Sequence, residues 1–201
     1  MGYIYTLKNI MNRRTVIKST LALGVLAASS FPMFKWLSLN KTPDLGLLQS
    51  KKDLISELAE MIIPATDTPG AKEAEVAEFI IKIITNCVGI KDKNIFIDGL
   101  LDVENYSQNH FGKTFENCLL DERTQILTHF EDKAYWSNNL MNKIQNKFLG
   151  QPFFSRLKEL TVLGYCTSEL GATKGLAYDY IPGKFESCIK LSPQQKSWAT
   201  K

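Results

Sequence analysis

The sequence predicts an all-α fold: a single compact multi-helix domain that follows an N-terminal export signal and ends in an irregular C-terminal tail. Beyond about residue 52, apolar residues recur at helical spacing, and very little of the chain alternates as a strand does. The clearest helix-breaking clusters are an early loop, 64–71, and the tail after residue 170. Roughly 170 residues follow the signal, which is enough for one domain with a real core.

Residues 1–30 are typical of a twin-arginine export signal. Arg13 and Arg14 precede a hydrophobic pair and Lys18, in the order that this signal uses, and an apolar stretch follows at once. That stretch is about fifteen residues long, shorter than the ~20 residues that cross a bilayer, so we do not expect a permanent transmembrane helix. Because this pathway moves folded proteins, the chain is expected to fold before export.

Several properties of the leader stay open. An ordinary secretory signal or an uncleaved anchor is the alternative to a twin-arginine signal. No A-x-A triplet ends the apolar run, so cleavage near residues 28–30 is a rough placement. Met11 lies two residues before Arg13 and is an alternative start codon.

The leader carries most of the positive charge. Residues 1–30 hold four basic and no acidic side chains, so of 24 basic and 21 acidic residues the remainder keeps 20 and 21. The exported chain is therefore close to neutral. Its net charge gives no support to a nucleic-acid or anionic-membrane partner, and neither is expected.

The helices follow in order after a polar linker, 31–52, and make up the domain 53–201. Asp53 begins the first helix, which carries one apolar face until Pro64 stops it. After the proline- and glycine-containing loop, a second helix is predicted from Ala71 to about Val88, with Gly89 as its end. Its apolar stripe is Val76, Phe79, Ile80, Ile83, Ile84 and Cys87.

Four further helices are expected. One runs from Asn94 to about Phe111 although Gly99 weakens it, and Asp121 is the expected N-cap of another, 122–134. The last two are 135–148 and a helix that Pro152 opens and that ends near residue 170. The residues expected to point inward from the first of these helices are Phe96, Leu100, Val103, Tyr106 and His110.

The four cysteines are too widely spaced for a zinc or iron-sulfur motif. An even number in an oxidising compartment permits two disulfides in three connectivities, which the sequence cannot rank. Free buried thiols and a cross-link to a partner chain are the alternatives. The residues concerned are Cys87, Cys118, Cys166 and Cys188.

No motif indicates chemistry of the chain's own. His110 and His129 lack a ligand spacing, and neither a G-x-G-x-x-G cradle nor a G-x-S-x-G elbow is present. Asp67 with Glu73 or Glu75 makes a possible carboxylate pair, but an aspartate between threonines in a turn more often caps backbone amides. We therefore expect no catalytic residue, metal ligand or cofactor site in this chain.

Three segments carry a family resemblance. Residues 63–71, Ile-Pro-Ala-Thr-Asp-Thr-Pro-Gly-Ala, and 165–172, Tyr-Cys-Thr-Ser-Glu-Leu-Gly-Ala, resemble the gluconate 2-dehydrogenase subunit 3 family, as does 178–188. The likeness extends from about Leu54 to Leu191 and includes the leader. One departure is Cys166, where the family more often has an aromatic residue.

The resemblance implies a periplasmic, non-catalytic accessory subunit, associated with the cytoplasmic membrane through its complex. The implied partners are a large flavoprotein dehydrogenase of the glucose-methanol-choline type, which holds FAD, a cytochrome c subunit and the twin-arginine translocase. The partner interface is expected at Thr66, Asp67, Thr68, Pro69, Gly70, Tyr165, Gly171, Tyr180, Pro182 and Gly183. The alternative is a free-standing periplasmic helical binding protein with no flavoprotein partner.

Aromatic residues concentrate in the C-terminal portion. Interfaces favour aromatic side chains, which bury large areas at low entropic cost, whereas a small core also uses them to complete its packing. Both interpretations are open for Tyr165, Tyr178, Tyr180, Phe185 and Trp198.

Overall fold

The computed structural model describes residues 39–134 and 150–181, together with 183, 188, 190, 191, 193 and 195–199. The predicted signal, with Arg13, Arg14 and Lys18, lies outside the described residues. So do the predicted helix 135–148 and Pro182. The chain divides into the units Met1–Asn40 and Lys41–Lys201, and the fold described here belongs to the second.

The described part of this unit is helical and contains no strand, which confirms the all-α prediction. Its elements in order are α1 Leu45–Ser50, α2 Lys52–Ile62, α3 Val76–Asn86, α4 Ile90–Phe111, a 3₁₀ turn Phe115–Asn117, α5 Leu120–Ala134, α6 Phe153–Thr167 and a π-helical turn Gly171–Gly175. α6 is the central helix, because it packs against α2, α3, α4, α5 and the π-helical turn.

Two glycines let helices pack closely around α6. Gly99 of α4 faces Phe153, and a β-carbon there would lie 2.5 Å from that residue's Cβ. Gly164 of α6 faces α3, where a β-carbon would lie 2.7 Å from the ring of Phe79. Gly99, which reduces helix propensity, is therefore explained by close packing.

The segment assigned to a linker already belongs to the fold. Asp44 caps α1 by accepting a hydrogen bond from the Leu47 amide at 2.9 Å, and Leu48 is fully buried. The Asn94 side chain, itself buried, donates to the carbonyl oxygen of Lys41 at 2.7 Å. Residues 45–50 therefore form a helix where the sequence was interpreted as linker.

Helix starts are the main corrections. α3 begins at Val76, not Ala71, because Glu75 has a left-handed backbone with φ of 53° that interrupts the helix. α4 begins at Ile90, one turn before the predicted Asn94. α5 begins at Leu120, where the Glu122 carboxylate accepts from the Leu119 amide at 2.7 Å, so Glu122 caps the helix instead of Asp121.

The inward face of α4 also differs at its end. Phe96, Leu100 and Val103 are buried as predicted, but His110 is exposed and Tyr106 is only half-buried. The buried stripe continues through Ser107, a polar residue with no exposed surface. Hydrophobicity alone favoured the neighbouring aromatic residues, and the prediction for His110 was wrong.

Candidate functional site

The loop between α2 and α3 is held by a carboxylate. Glu60, in the last turn of α2, accepts hydrogen bonds from the backbone amides of Ala65 and Lys72, each at 2.8 Å. The Ala71 amide also donates to the carbonyl oxygen of Ile63 at 2.9 Å, which closes the loop at its base. Glu60 thus satisfies amides on both sides of the loop, a role that the sequence analysis gave to Asp67.

Gly70 is required where the loop passes over Glu60. A β-carbon at this position would overlap the Glu60 carboxylate and would lie 2.6 Å from the Ala65 nitrogen. Pro69 and Gly70 are buried, whereas Thr66 and Asp67 at the tip are exposed and Thr68 is half-buried. The tip is closed by a hydrogen bond from the Thr66 amide to the Thr68 carbonyl oxygen at 3.0 Å.

Tyr165 joins two of the three segments that carry the family resemblance. Its ring is buried in the last turns of α6, and its hydroxyl donates to the carbonyl oxygen of Pro69 at 2.7 Å, across 96 residues of sequence. Gly175 lies over the same hydroxyl, where a β-carbon would approach to 2.5 Å, and a β-carbon at Gly171 would overlap the Tyr165 carbonyl. The loop 63–71 and the segment 165–175 therefore form one packed unit.

An ion-pair network fixes this unit to α5. Glu57 accepts from Lys72 at 2.6 Å and from Arg123 at 2.9 Å. The hydrogen bond from Lys72, with the positive charges of Lys72 and Arg123, lowers the pKa of Glu57 although its partial burial opposes the shift. Arg123 also donates to the carbonyl oxygens of Cys118 and Glu116, and its guanidinium lies 5.5 Å from the centre of the Phe115 ring.

The predicted interface residues thus divide into two groups. Pro69, Gly70, Tyr165 and Gly171 are buried and act as the scaffold of the loop. The residues available to a partner are the exposed ones, Thr66, Asp67, Tyr180 and Gly183. The sequence analysis missed Glu60, Glu57 and Arg123. A glutamate one turn before a proline-terminated helix end is the signal that points to Glu60.

The chain continues from the π-helical turn into a segment that we call the C-terminal strap, residues 176–181 with 195–199. The Ala177 amide donates to the Ser197 carbonyl oxygen, and the Ala199 amide donates to the Ala177 carbonyl oxygen, each at 2.8 Å. The Lys196 ammonium donates to the carbonyl oxygen of Lys174 at the end of the turn. The strap is therefore attached to the unit that Tyr165 organises.

The four cysteines are all free thiols in the structure, which contains none of the permitted disulfides. Cys118 is buried, and burial together with the charge of Glu122 raises its thiol pKa. Cys166 cannot pair with Cys87, because Gly164 packs at the start of α3 and Cys87 follows its far end. Eleven helical residues span about 16 Å, and disulfides need Cα atoms within about 7 Å.

The two histidines stack on one tyrosine. The ring centre of Tyr106 lies 3.8 Å from that of His110 and 4.3 Å from that of His129, with near-parallel planes. Partial burial, with the positive charges of Lys133 and His110, lowers the pKa of His129. Within the described ranges, no three His, Cys, Asp or Glu side chains gather into a metal-binding group.

No helix in the described part of the chain has both the length and the apolar character needed to cross a membrane. The features above define, over the described residues, an all-helical domain in which the loop 63–71 packs against the segment 165–175. The family model for gluconate 2-dehydrogenase subunit 3 matches residues 49–183, about two thirds of the sequence. The chain belongs to the gluconate 2-dehydrogenase subunit 3 family. Neither a curated protein nor a solved structure matches it.

Proposed function

We propose that this chain is the non-catalytic subunit of a dehydrogenase complex, in which it binds and stabilises a large flavin-dependent subunit. Membership of the subunit 3 family supports an accessory role in a complex of the gluconate dehydrogenase kind. The substrate class that we assign to the partner is a sugar or sugar acid. The partner is of the glucose-methanol-choline type and holds FAD, and a cytochrome c subunit receives its electrons.

The observation that carries this proposal is the bond between Tyr165 and Pro69. This bond joins two segments 96 residues apart in sequence. In it, a buried tyrosine holds a loop whose tip is exposed. A loop held in place by this bond has little conformational freedom left to lose on association, which favours recognition by a partner. Thr66 and Asp67 are the exposed groups at that tip.

Export is the second part of the proposal. The leader with Arg13, Arg14 and Lys18 lies outside the described residues, so its sequence alone supports this step. An accessory subunit that carries a signal for folded proteins acts as an escort if the flavoprotein travels with it through the twin-arginine translocase. The complex then works in the periplasm, at the cytoplasmic membrane.

The test is to replace both arginines of the signal by lysine, Arg13→Lys with Arg14→Lys, in the native host. The chain should still fold and bind the flavoprotein, because the leader precedes the packed unit, but the complex should stay in the cytoplasm. The measurement is flavin-dependent dehydrogenase activity in periplasmic and cytoplasmic fractions. Arg156→Lys, outside the leader, is the matched control and should leave the distribution unchanged. Undiminished periplasmic activity in the double variant would exclude the escort role.

A further inference from the structure

Three aromatic side chains stack where α4 meets α5. Tyr106 and His110 belong to α4, and His129 belongs to α5. The ring centres of the two histidines lie 3.8 Å and 4.3 Å from that of Tyr106, with interplanar angles of 17° and 26°. Two imidazoles at these distances would collide on one face of the ring, so they lie on opposite faces of Tyr106. We call this group the histidine–tyrosine stack.

The stack is part of the contact between the two helices. Tyr106 packs against the apolar core, and the buried ring of Phe130 lies edge-on to it, with 6.0 Å between the ring centres. Tyr106 and His129 are half-buried, whereas His110 is exposed. Protons from solvent therefore reach a contact that also supports the packing of α4 on α5.

The two imidazoles differ in how well their surroundings accept a positive charge. His110 lies in the last turn of α4, where the helix dipole favours a cation, and its Nδ1 lies 3.0 Å from the Tyr106 carbonyl oxygen. His129 lies within α5, one turn before Lys133. Partial burial lowers the pKa of His129 most, and the positive charges of Lys133 and His110 lower it further. The negative charge of Asp132 opposes them.

The third helix at this contact, α6, contributes packing. Its Phe153 ring lies edge-on to Phe130, with 6.3 Å between the ring centres. Its Lys158 pairs with Glu131 of α5 at 3.0 Å. Among the described residues, the charges that act on His129 therefore come from α4 and α5.

We propose that the histidine–tyrosine stack is a pH-sensitive contact, which holds α4 and α5 together while His129 is neutral and weakens when His129 takes up a proton. One protonated imidazole can be held by the face of Tyr106 through a cation–π contact. A second places positive charge on both faces, about 8 Å apart, where partial burial leaves the repulsion less screened than in water.

The direction of the pH dependence follows from the lowered pKa of His129. The unfolded chain binds this proton more readily than the folded chain does. The stabilisation is therefore fully present above the unfolded value of about 6.5 and is lost as pH falls through the folded-state pKa.

The test follows both imidazoles directly. The chain has only two histidines, so the untagged full-length protein gives one set of imidazole signals for each in an NMR titration. His129→Gln removes the titrating group, His110→Gln removes its charged neighbour, and Thr128→Gln, at the exposed position next to His129, is the matched control. Urea midpoints of unfolding are measured for every chain at about pH 7.5 and about pH 5.5. Nuclear Overhauser effects between the rings of Tyr106 and His129 report on the contact itself.

We expect His129 to titrate below the ordinary imidazole pKa of about 6.5 in the native chain, and at higher pH in His110→Gln. The Overhauser effects should weaken as His129 takes up its proton. The urea midpoint of the native chain and of Thr128→Gln should fall between the two pH values, and this fall should be at least about twofold smaller in His129→Gln.

An equal fall in His129→Gln and the native chain would overturn the inference. Overhauser effects that persist unchanged through the titration of His129 would also overturn it. Because these effects are read in the native chain, they decide the matter even where a variant does not fold.

Discussion

At the scale of single residues, the loop surface depends on groups that each satisfy backbone atoms. Tyr165 donates a hydrogen bond to the Pro69 carbonyl oxygen, and Glu60 accepts hydrogen bonds from two backbone amides. The bond from Tyr165 is buried, so losing it leaves the Pro69 carbonyl oxygen buried without that partner, which is more costly than losing an exposed contact such as those of Glu60. The glycines at positions 70 and 175 make room for these polar groups, because a side chain would collide with Glu60 at the first position and with the Tyr165 hydroxyl at the second.

Tyr165→Phe directly tests the hydrogen bond between Tyr165 and Pro69. The change keeps the ring but removes the donor to the Pro69 carbonyl, so we expect the free energy of unfolding to fall by about 1–2 kcal/mol. The measurement is urea unfolding followed by circular dichroism. Tyr178→Phe, on an exposed tyrosine, is the control and should change stability by less than about 0.5 kcal/mol. Equal stability of Tyr165→Phe and the native chain would show that the bond does not hold the loop.

At the scale of elements, Glu57 connects α2, the loop that contains Lys72, and α5. Its folded-state pKa is lowered, so the stabilisation is fully present above the unfolded value of about 4.5 and is lost as pH falls through the folded pKa. The linked elements should therefore loosen in acid before the apolar core does.

Glu57→Gln is predicted to lower the free energy of unfolding at pH 7 by about 1–3 kcal/mol, because Arg123 and Lys72 lose a charged acceptor. The variant should also show a smaller loss of stability below about pH 4.5 than the native chain. Glu159→Gln is the matched control, since its pair with Arg156 is exposed and contributes less than about 1 kcal/mol. Parallel stability–pH curves for Glu57→Gln and the native chain would contradict this role of Glu57.

The sequence was sufficient to predict the helices α2 to α6, but not the starts of α3 and α4, and it missed the short helix α1. The buried faces of α2 and α6 follow periodicity, which is a local property. The start of α3 depends on a left-handed Glu75, and the end of the α4 stripe depends on a buried Ser107. Neither the left-handed backbone of Glu75 nor the burial of Ser107 is encoded in helical periodicity. The loop segments could be found by resemblance, but their meeting at Tyr165 is a long-range contact.

At the scale of the whole molecule, the described domain has a packed helical core around α6, and three of its charged side chains form bonds that hold the fold. Glu60 and Arg123 form hydrogen bonds with backbone atoms, and Glu57 pairs with Arg123. The groups that face solvent include Thr66 and Asp67 at the loop tip and the large apolar side chains of the C-terminal strap, and both segments are attached to the unit that Tyr165 organises.

The most direct test of the accessory-subunit proposal is affinity purification of the tagged native chain from its host under gentle conditions, with mass spectrometry and a flavin absorbance scan. The account predicts a stoichiometric yellow flavoprotein of several packed domains in the eluate, because the proposed partner is a large flavin-dependent subunit. Recovery of the chain alone, without flavin absorbance, would contradict the proposal and favour a free-standing periplasmic binding protein.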